Sequence, residues 1–203
     1  MVICAAGSMP ADLHKLWRTR DPKGYHLEYG YSCMGYEVAG GLGVKLADPE
    51  REVIVMVGDG SWLMMSSEIA TSVQEGVRLT VVLIDNQGFA SIGGLSRSLG
   101  SEGYGTAYPV AVDLAANAES LGAISVRVET AERLAAALAD ARSGDRTTVI
   151  VVACDPKRGI GSYESWWDVP VAEVSQMPAV QEARADYEAE RRRERPFLGG
   201  END

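Results

Sequence analysis

Asp59 stands between two glycines in GDGSW, residues 58–62, directly after the apolar run VIVMV at Val53–Val57. Glycines at the carboxyl end of a strand let the backbone turn tightly and approach a ligand closely. Amides that open a following helix can hold a diphosphate, helped by the positive end of that helix. A carboxylate there would by itself repel phosphate. It makes chemical sense as a ligand of a divalent cation that bridges to phosphate oxygens, and magnesium takes such hard oxygen donors. A second run, LTVVLI at Leu79–Ile84, ends in Asp85, Asn86 and Gly88. If the two strands are neighbours, Asp59 and Asn86 meet at the carboxyl edge of the sheet, where open α/β sheets bind ligands. A carboxylate, an amide oxygen and a backbone carbonyl would then supply part of an octahedral set, completed by diphosphate oxygens and water. The triplet alone is weak, because an ordinary strand-end turn can read GDG. The pair of strand ends is the stronger signal.

The elements that must position these groups read as an α/β fold, a three-layer sandwich around a mostly parallel sheet. Val2–Ala5, Val53–Val57, Leu79–Ile84, Ile124–Val128 and Thr148–Ala153 are short β-rich runs. Most are continuously apolar rather than alternating, as in parallel strands covered on both faces. Helical patterns fall between them at Tyr36–Leu46, Leu63–Glu75, Leu114–Leu121 and Ala131–Ala141. Asp113 and Thr130 are expected N-caps, and Gly76 and Gly122 end their helices. Residues 89–109 hold five glycines and four serines without a clean period, which predicts a long functional or surface loop. Gln181–Glu194 is charged throughout and reads as a solvated helix running into a frayed tail. The expected division is 1–175 for the ligand-binding domain and 176–203 for this helix and tail.

Of 203 residues, 19 are basic and 29 acidic, a net charge of -10. Such a balance repels phosphate backbones and disfavours nucleic-acid and anionic-membrane partners. The sequence carries no apolar run long enough to span a bilayer and no signal-peptide pattern. Cys4, Cys33 and Cys154 are widely spaced, which fits a reducing, cytoplasmic location rather than a disulfide scaffold. The cysteines and histidines lack zinc-ligand spacing. There is no P-loop, and GDGSWL lacks the third glycine of a dinucleotide fingerprint.

GDG followed by 25 residues and then Asn86 resembles the thiamine-diphosphate motif. That resemblance implies Mg²⁺ held by Asp59, Asn86 and the Gly88 carbonyl, with Gly58, Gly60 and Ser61 meeting the diphosphate. Asp85 replaces the motif's usual first Asn, outside the inferred ligand set. Met34, 25 residues before Asp59, matches the apolar wedge beneath the bent cofactor. The Ser32 carbonyl matches the acceptor for the pyrimidine amino group. Gly40, Gly41 and Gly43 permit close packing of the helix beside the site. A narrower resemblance covers almost the whole chain. CAAGSMPADLHKLWRTRDPKGYHLEYGYSCMGYEVAGGLGVKLADPEREV (Cys4–Val53), GDGSWLMMSSEIATSVQEG (Gly58–Gly76) and YESWWDVPVAEVS (Tyr163–Ser175) are similar to the C-terminal domain of the trihydroxycyclohexane-1,2-dione hydrolases of myo-inositol catabolism.

The resemblance implies a thiamine-diphosphate-dependent hydrolysis of a C–C bond in a cyclic 1,2-diketone, a small-molecule substrate. In such enzymes a Glu on a separate pyrimidine-binding domain activates the cofactor, and that domain commonly belongs to a partner subunit. Glu37, Glu68 and Glu75 lie on the wrong domain for this role. The chain is therefore expected to supply only the diphosphate-binding half, within a homo- or hetero-oligomer or together with a missing N-terminal region, and to turn over little alone. His26 and Glu28, in GYHLEYG before Met34, are the expected substrate-side catalytic groups, since a histidine is the natural acid–base near neutral pH. Two alternatives stand beside this reading: an acetolactate-synthase-like or 2-oxo-acid decarboxylating enzyme, and a non-catalytic cofactor-binding or assembly subunit.

Overall fold

The computed structural model describes residues 1–161, 166 and 168–195. Its strands are β1 (Val2–Cys4), β2 (Tyr25–Leu27), β3 (Ile54–Gly58), β4 (Thr80–Asp85), β5 (Ile124–Val128) and β6 (Thr148–Ala153). They form one sheet in the order β2-β1-β3-β4-β6-β5, and every pairing is parallel. The helices are α1 (Ser8–Leu16), α2 (Tyr36–Ala47), α3 (Asp59–Met65), α4 (Glu68–Gln74), α5 (Ala90–Ser98), α6 (Leu114–Ser120), α7 (Ala131–Ser143) and α8 (Pro178–Arg191).

Alternation along β6 defines the layers. Val149 and Val151 join the larger core with Val38 and Leu42 of α2, Trp62 of α3 and Ile69 of α4. Ile150 and Val152 point the other way, onto Ala137 and Ala141 of α7. Central strands covered on both faces gain nothing from alternating polarity, which is why their sequences are continuously apolar. Gly41 explains the close seat of α2. A Cβ there would lie 2.3 Å from the Val55 side chain, whereas one at Gly43 would meet nothing within 4 Å.

The local end signals work as their chemistry requires. The Asp113 carboxylate accepts from the Ala116 amide at 3.0 Å, and the Thr130 hydroxyl from the Arg133 amide at 3.2 Å. Gly76 follows α4 in the left-handed region (φ 64°), and the Val77 amide reaches back to the Ser72 carbonyl at 2.9 Å. That 6→1 bond satisfies a helix-terminal carbonyl.

Three features depart from the sequence reading. The single helix expected over 63–75 is two helices, and the first begins at Asp59 itself; at Ser66 and Ser67 the carbonyls accept from Ile69 and Ala70, so the ladder tightens to three-residue spacing. The 89–109 segment contains α5, whose glycines and serines mask its period. α1 and β2 carry no strong periodic signal, and β2 is only three residues long.

By packing, the described residues fall into two compact units: Met1–Ser91 with Thr106–Ile160, and Ile92–Gly105 with Gly161–Asp203. The first contains the whole sheet. In the second, Tyr187 and Arg191 of α8 both donate to the Asp168 carboxylate at 2.7 Å, and Arg184 donates to the Val171 carbonyl at 3.0 Å. Of the YESWWDV run, residues 163–165 and 167 lie outside the described residues. Trp166 is exposed and tilts toward the Tyr187 ring.

Candidate functional site

Register brings the chemistry-bearing residues together. Gly58 pairs with Ile84 and Asp85 pairs with Ala153, so Asp59 and Asn86 both emerge at the carboxyl edge of neighbouring strands. Asp59 is buried there. Its Oδ2 accepts from the amides of Asn86 (3.1 Å) and Gly88 (3.0 Å), and its Oδ1 from that of Gly60 (2.7 Å). One carboxylate thus staples two strand ends. Burial pushes its pKa up, while the Gly88 and Gly60 amides pull it back down.

The DNQG turn is fixed by backbone as well. Gln87 sits in the left-handed region (φ 63°), its carbonyl accepts from the Tyr108 amide at 3.0 Å, and its side chain donates to Asp85. Gly88 has φ 146°, and a Cβ there would fall 2.3 Å from the Thr106 carbonyl oxygen. Only glycine fits. Beyond it, the Phe89 amide donates to Thr106 at 2.8 Å.

Met34 arrives from the other side. A Cβ on Gly60 would meet the Phe89 ring at 2.8 Å and the Met34 methyl at 3.5 Å, so the sulfur side chain and the GDG turn are adjacent. The loop before Met34 is held by Glu28, whose carboxylate accepts from the amides of Cys33 (2.6 Å) and Tyr31 (3.3 Å). Those two bonds, the Cys33 one first, draw its pKa below the ordinary carboxylate value. Ser32, inside this loop, adopts φ 51°, a left-handed conformation that a non-glycine residue keeps only when its surroundings enforce it. His26 pairs its Nε2 with the Tyr36 hydroxyl at 2.9 Å.

Three residues around the site carry roles that the motifs do not announce. Glu37, the second residue of α2, is fully buried, with Oε2 on the Gly35 amide at 2.9 Å. Its only sequence signal is a lone acid in a mostly apolar, glycine-rich helix. Phe89 covers Gly60. Tyr108 buries a hydroxyl that has no hydrogen-bond partner, and burial followed by the charges of Asp59 and Asp85 pushes its pKa up to about 12. Phe89 directly follows Gly88 but carries no motif signal of its own, and Tyr108 reaches the site only through the return of residues 106–108.

The donor chemistry fits a hard cation only with outside help. Among the described residues no cluster of three or more His, Cys, Asp or Glu side chains could hold a metal. What the edge offers is one carboxylate, the Asn86 side-chain oxygen and nearby carbonyls. The Asn86 Oδ1 is buried without any partner, a costly state unless a ligand completes it. A Cβ on Gly58 would meet nothing within 4 Å, so space adjoins Asp59. Such a set suits a cation that shares its shell with phosphate oxygens and water.

Comparison with known proteins agrees with this fold. Among the described residues no helix is long and apolar enough to cross a membrane. The chain is 47% identical over 199 residues to 3D-(3,5/4)-trihydroxycyclohexane-1,2-dione hydrolase of Bacillus subtilis, covering 95% of this chain and 31% of that protein. It is 48% identical over 189 residues to the enzyme of the same name from Bacillus licheniformis, covering 90% of this chain and 30% of that one. The chain therefore spans about a third of the length of these relatives. A solved structure, the thiamine diphosphate-dependent 4-hydroxybenzoylformate decarboxylase of Rhodococcus jostii RHA1, superposes with a TM-score of 0.61 at 26% identity, over 66% of this chain and 25% of that one. Residues 5–152 match the family described as thiamine pyrophosphate enzyme, C-terminal TPP binding domain, and the chain belongs to that family.

Proposed function

We propose that this chain supplies the diphosphate- and Mg²⁺-binding half of a thiamine-diphosphate-dependent enzyme that hydrolyses a C–C bond in a cyclic 1,2-diketone of the trihydroxycyclohexane-1,2-dione type. The observation that carries the reading is the pair of strand ends stapled by Asp59, with the unpartnered Asn86 Oδ1 beside it. The identity to the hydrolases, 47% for the Bacillus subtilis protein, favours that substrate class over a 2-oxo acid.

In this reading Asp59, Asn86 and the Gly88 carbonyl hold Mg²⁺. Gly58, Gly60 and Ser61 face the diphosphate, Met34 supports the cofactor from below, and the Ser32 carbonyl accepts from its pyrimidine amino group. Bound thiamine diphosphate supplies a nucleophilic carbon and an electron sink. The chain's own task is to bind and orient the cofactor and to exclude competing reactions while admitting the one water that hydrolysis consumes. Glu28 fixes the loop that presents Ser32. His26, polarised by Tyr36, is the group to move a proton on the substrate side.

The partner is a pyrimidine-binding domain from another chain or from a further region of the same protein. Tyr29, Tyr31, Leu63, Met64 and Met65 leave a large apolar area exposed around the Met34–Gly35 turn, as surfaces awaiting a partner do. The assembly is an oligomer at work in the cytoplasm, and the chain alone binds cofactor without turnover. Calorimetric titration of thiamine diphosphate into the chain, with and without excess Mg²⁺, tests the reading. Metal-dependent binding that disappears in Asp59→Ala is expected. Binding of equal strength without metal, or in the variant, would contradict it.

A further inference from the structure

Glu37 is a buried acid with no ion-pair partner among the described residues. The elements packed most closely on α2 are β1, β3, α3 and α4, and none carries a Lys, Arg or His. Their titratable groups are Cys4 on β1, Asp59 on α3 and Glu68 on α4; Glu28, from the loop after β2, adds a further negative charge. His26 of β2 meets α2 through the Tyr36 hydroxyl, and Lys45, near the far end of α2, is engaged with the Pro49 and Arg51 carbonyls. Oε2 accepts from the Gly35 amide at 2.9 Å, which ties the carboxyl to the turn that carries Met34. The Ser61 hydroxyl of α3 is its side-chain hydrogen-bonding neighbour and by itself favours the charged form, while Oε1 is buried with no partner. Burial is the largest influence on this carboxyl and pushes its pKa up. A buried acid that lacks a cation keeps its proton.

We infer that Glu37 is a positioning residue: as a neutral carboxyl it donates to Ser61 Oγ and leaves the single Ser61 proton free for a diphosphate oxygen. The inference rests on the cofactor reading above. A hydroxyl has one donor and two acceptor sites. An ionised Glu37 would draw the Ser61 proton to itself and turn the serine's lone pairs toward an anionic ligand. A neutral Glu37 reverses that polarity and links the Met34–Gly35 turn to the Gly60–Ser61 helix start.

The test is the pH profile of thiamine-diphosphate affinity, with excess Mg²⁺, for the wild-type chain, Glu37→Gln and Glu37→Met. Wild-type affinity is expected to fall about tenfold from mildly acidic to alkaline pH, the worth of one hydrogen bond to a charged group. Glu37→Gln carries a permanent donor of the same shape, so its affinity holds at the alkaline end, where the wild type's is lost. Glu37→Met binds weakly throughout. Superimposable wild-type and Gln profiles, or a Gln variant as weak as Met, would overturn the inference. Infrared spectra of the cofactor-free chain give a second readout: a carboxylic-acid band at neutral pH, present in wild type and lost in Glu37→Gln. Its absence from the wild type overturns the inference whatever the binding data show. If no chain binds at any pH, the cofactor reading fails, and the band alone decides the protonation state.

Discussion

At the amino edge of the sheet, buried hydroxyls close a complete chain of hydrogen bonds. Ser72 donates to the Val77 carbonyl at 2.6 Å, Thr147 meets Ser72 at 2.5 Å, and the Leu79 amide donates to Thr147 Oγ1 at 3.0 Å. One proton links the Ser72 and Thr147 hydroxyls and the Val77 carbonyl lies within reach of both, so each group finds a partner. At the carboxyl edge of the same strands the pairing is unfinished. Asn86 Oδ1, Glu37 Oε1 and the Tyr108 hydroxyl are all buried without partners, and Ser32, Gln87 and Gly88 hold left-handed or other positive-φ conformations. Unpaired buried groups and strained backbone both cost stability. Ser125 Oγ, near the start of β5, is also buried without a partner. The other three such atoms and both positive-φ non-glycine residues among the described residues gather at the carboxyl edge, which separates a region largely closed on itself from one built to be completed by a ligand.

Breaking the carboxyl edge should have the largest effect. Gly88→Ala would place a methyl against the Thr106 carbonyl and force a forbidden φ, with an expected loss of about 3 to 5 kcal/mol in urea unfolding. A fold unchanged by this substitution would mean that the DNQG turn is not held as described. Thr147→Val, at the other edge, keeps shape but leaves the Leu79 amide unpaired. It should lose about 1–3 kcal/mol with no change in thiamine-diphosphate affinity, and a weakened affinity would erase the contrast between the edges. Asn86→Leu sharpens the contrast from the opposite direction. Removing an unpaired buried oxygen should leave stability within about 1 kcal/mol of wild type, while metal-dependent cofactor binding disappears.

The smallest expected effect is on pH. A carboxyl whose folded pKa is raised, as burial raises that of Glu37, contributes stability that is full below its unfolded pKa and is lost as pH rises through the folded value. Melting temperature of the cofactor-free chain should therefore fall with rising pH above the ordinary carboxylate range. The Glu37→Gln variant should show a shallower fall, and parallel curves would place an ionised Glu37 in the folded chain.

The physical origin of each feature decides how much the sequence discloses. The continuous apolar runs of β4 and β6 mark strands buried on both faces, and the caps at Asp113, Thr130 and Gly76 follow from local chemistry alone. The juxtaposition of Asp59 and Asn86 is readable because strand ends at one sheet edge need only neighbouring order, whereas Met34 beside Gly60 is implied only by the family resemblance, since a lone methionine reads as core filler. α5 is hidden because Gly93, Gly94 and the serines of 89–109 carry no amphipathic period. The division between α3 and α4 turns on three-residue bonds at Ser66 and Ser67 that periodicity does not encode. Tyr108 enters the site by a return of the chain, and the isolation of Glu37 depends on which elements surround it. Neither is a local property.

Substituting Mn²⁺ for Mg²⁺ and recording amide ¹H–¹⁵N spectra with thiamine diphosphate tests the contrast between the edges most directly. The account predicts that the Gly60, Asn86 and Gly88 signals broaden beyond detection while those of Ser72 and Thr147 stay sharp. Uniform broadening at both edges, or broadening confined to the amino edge, would contradict it.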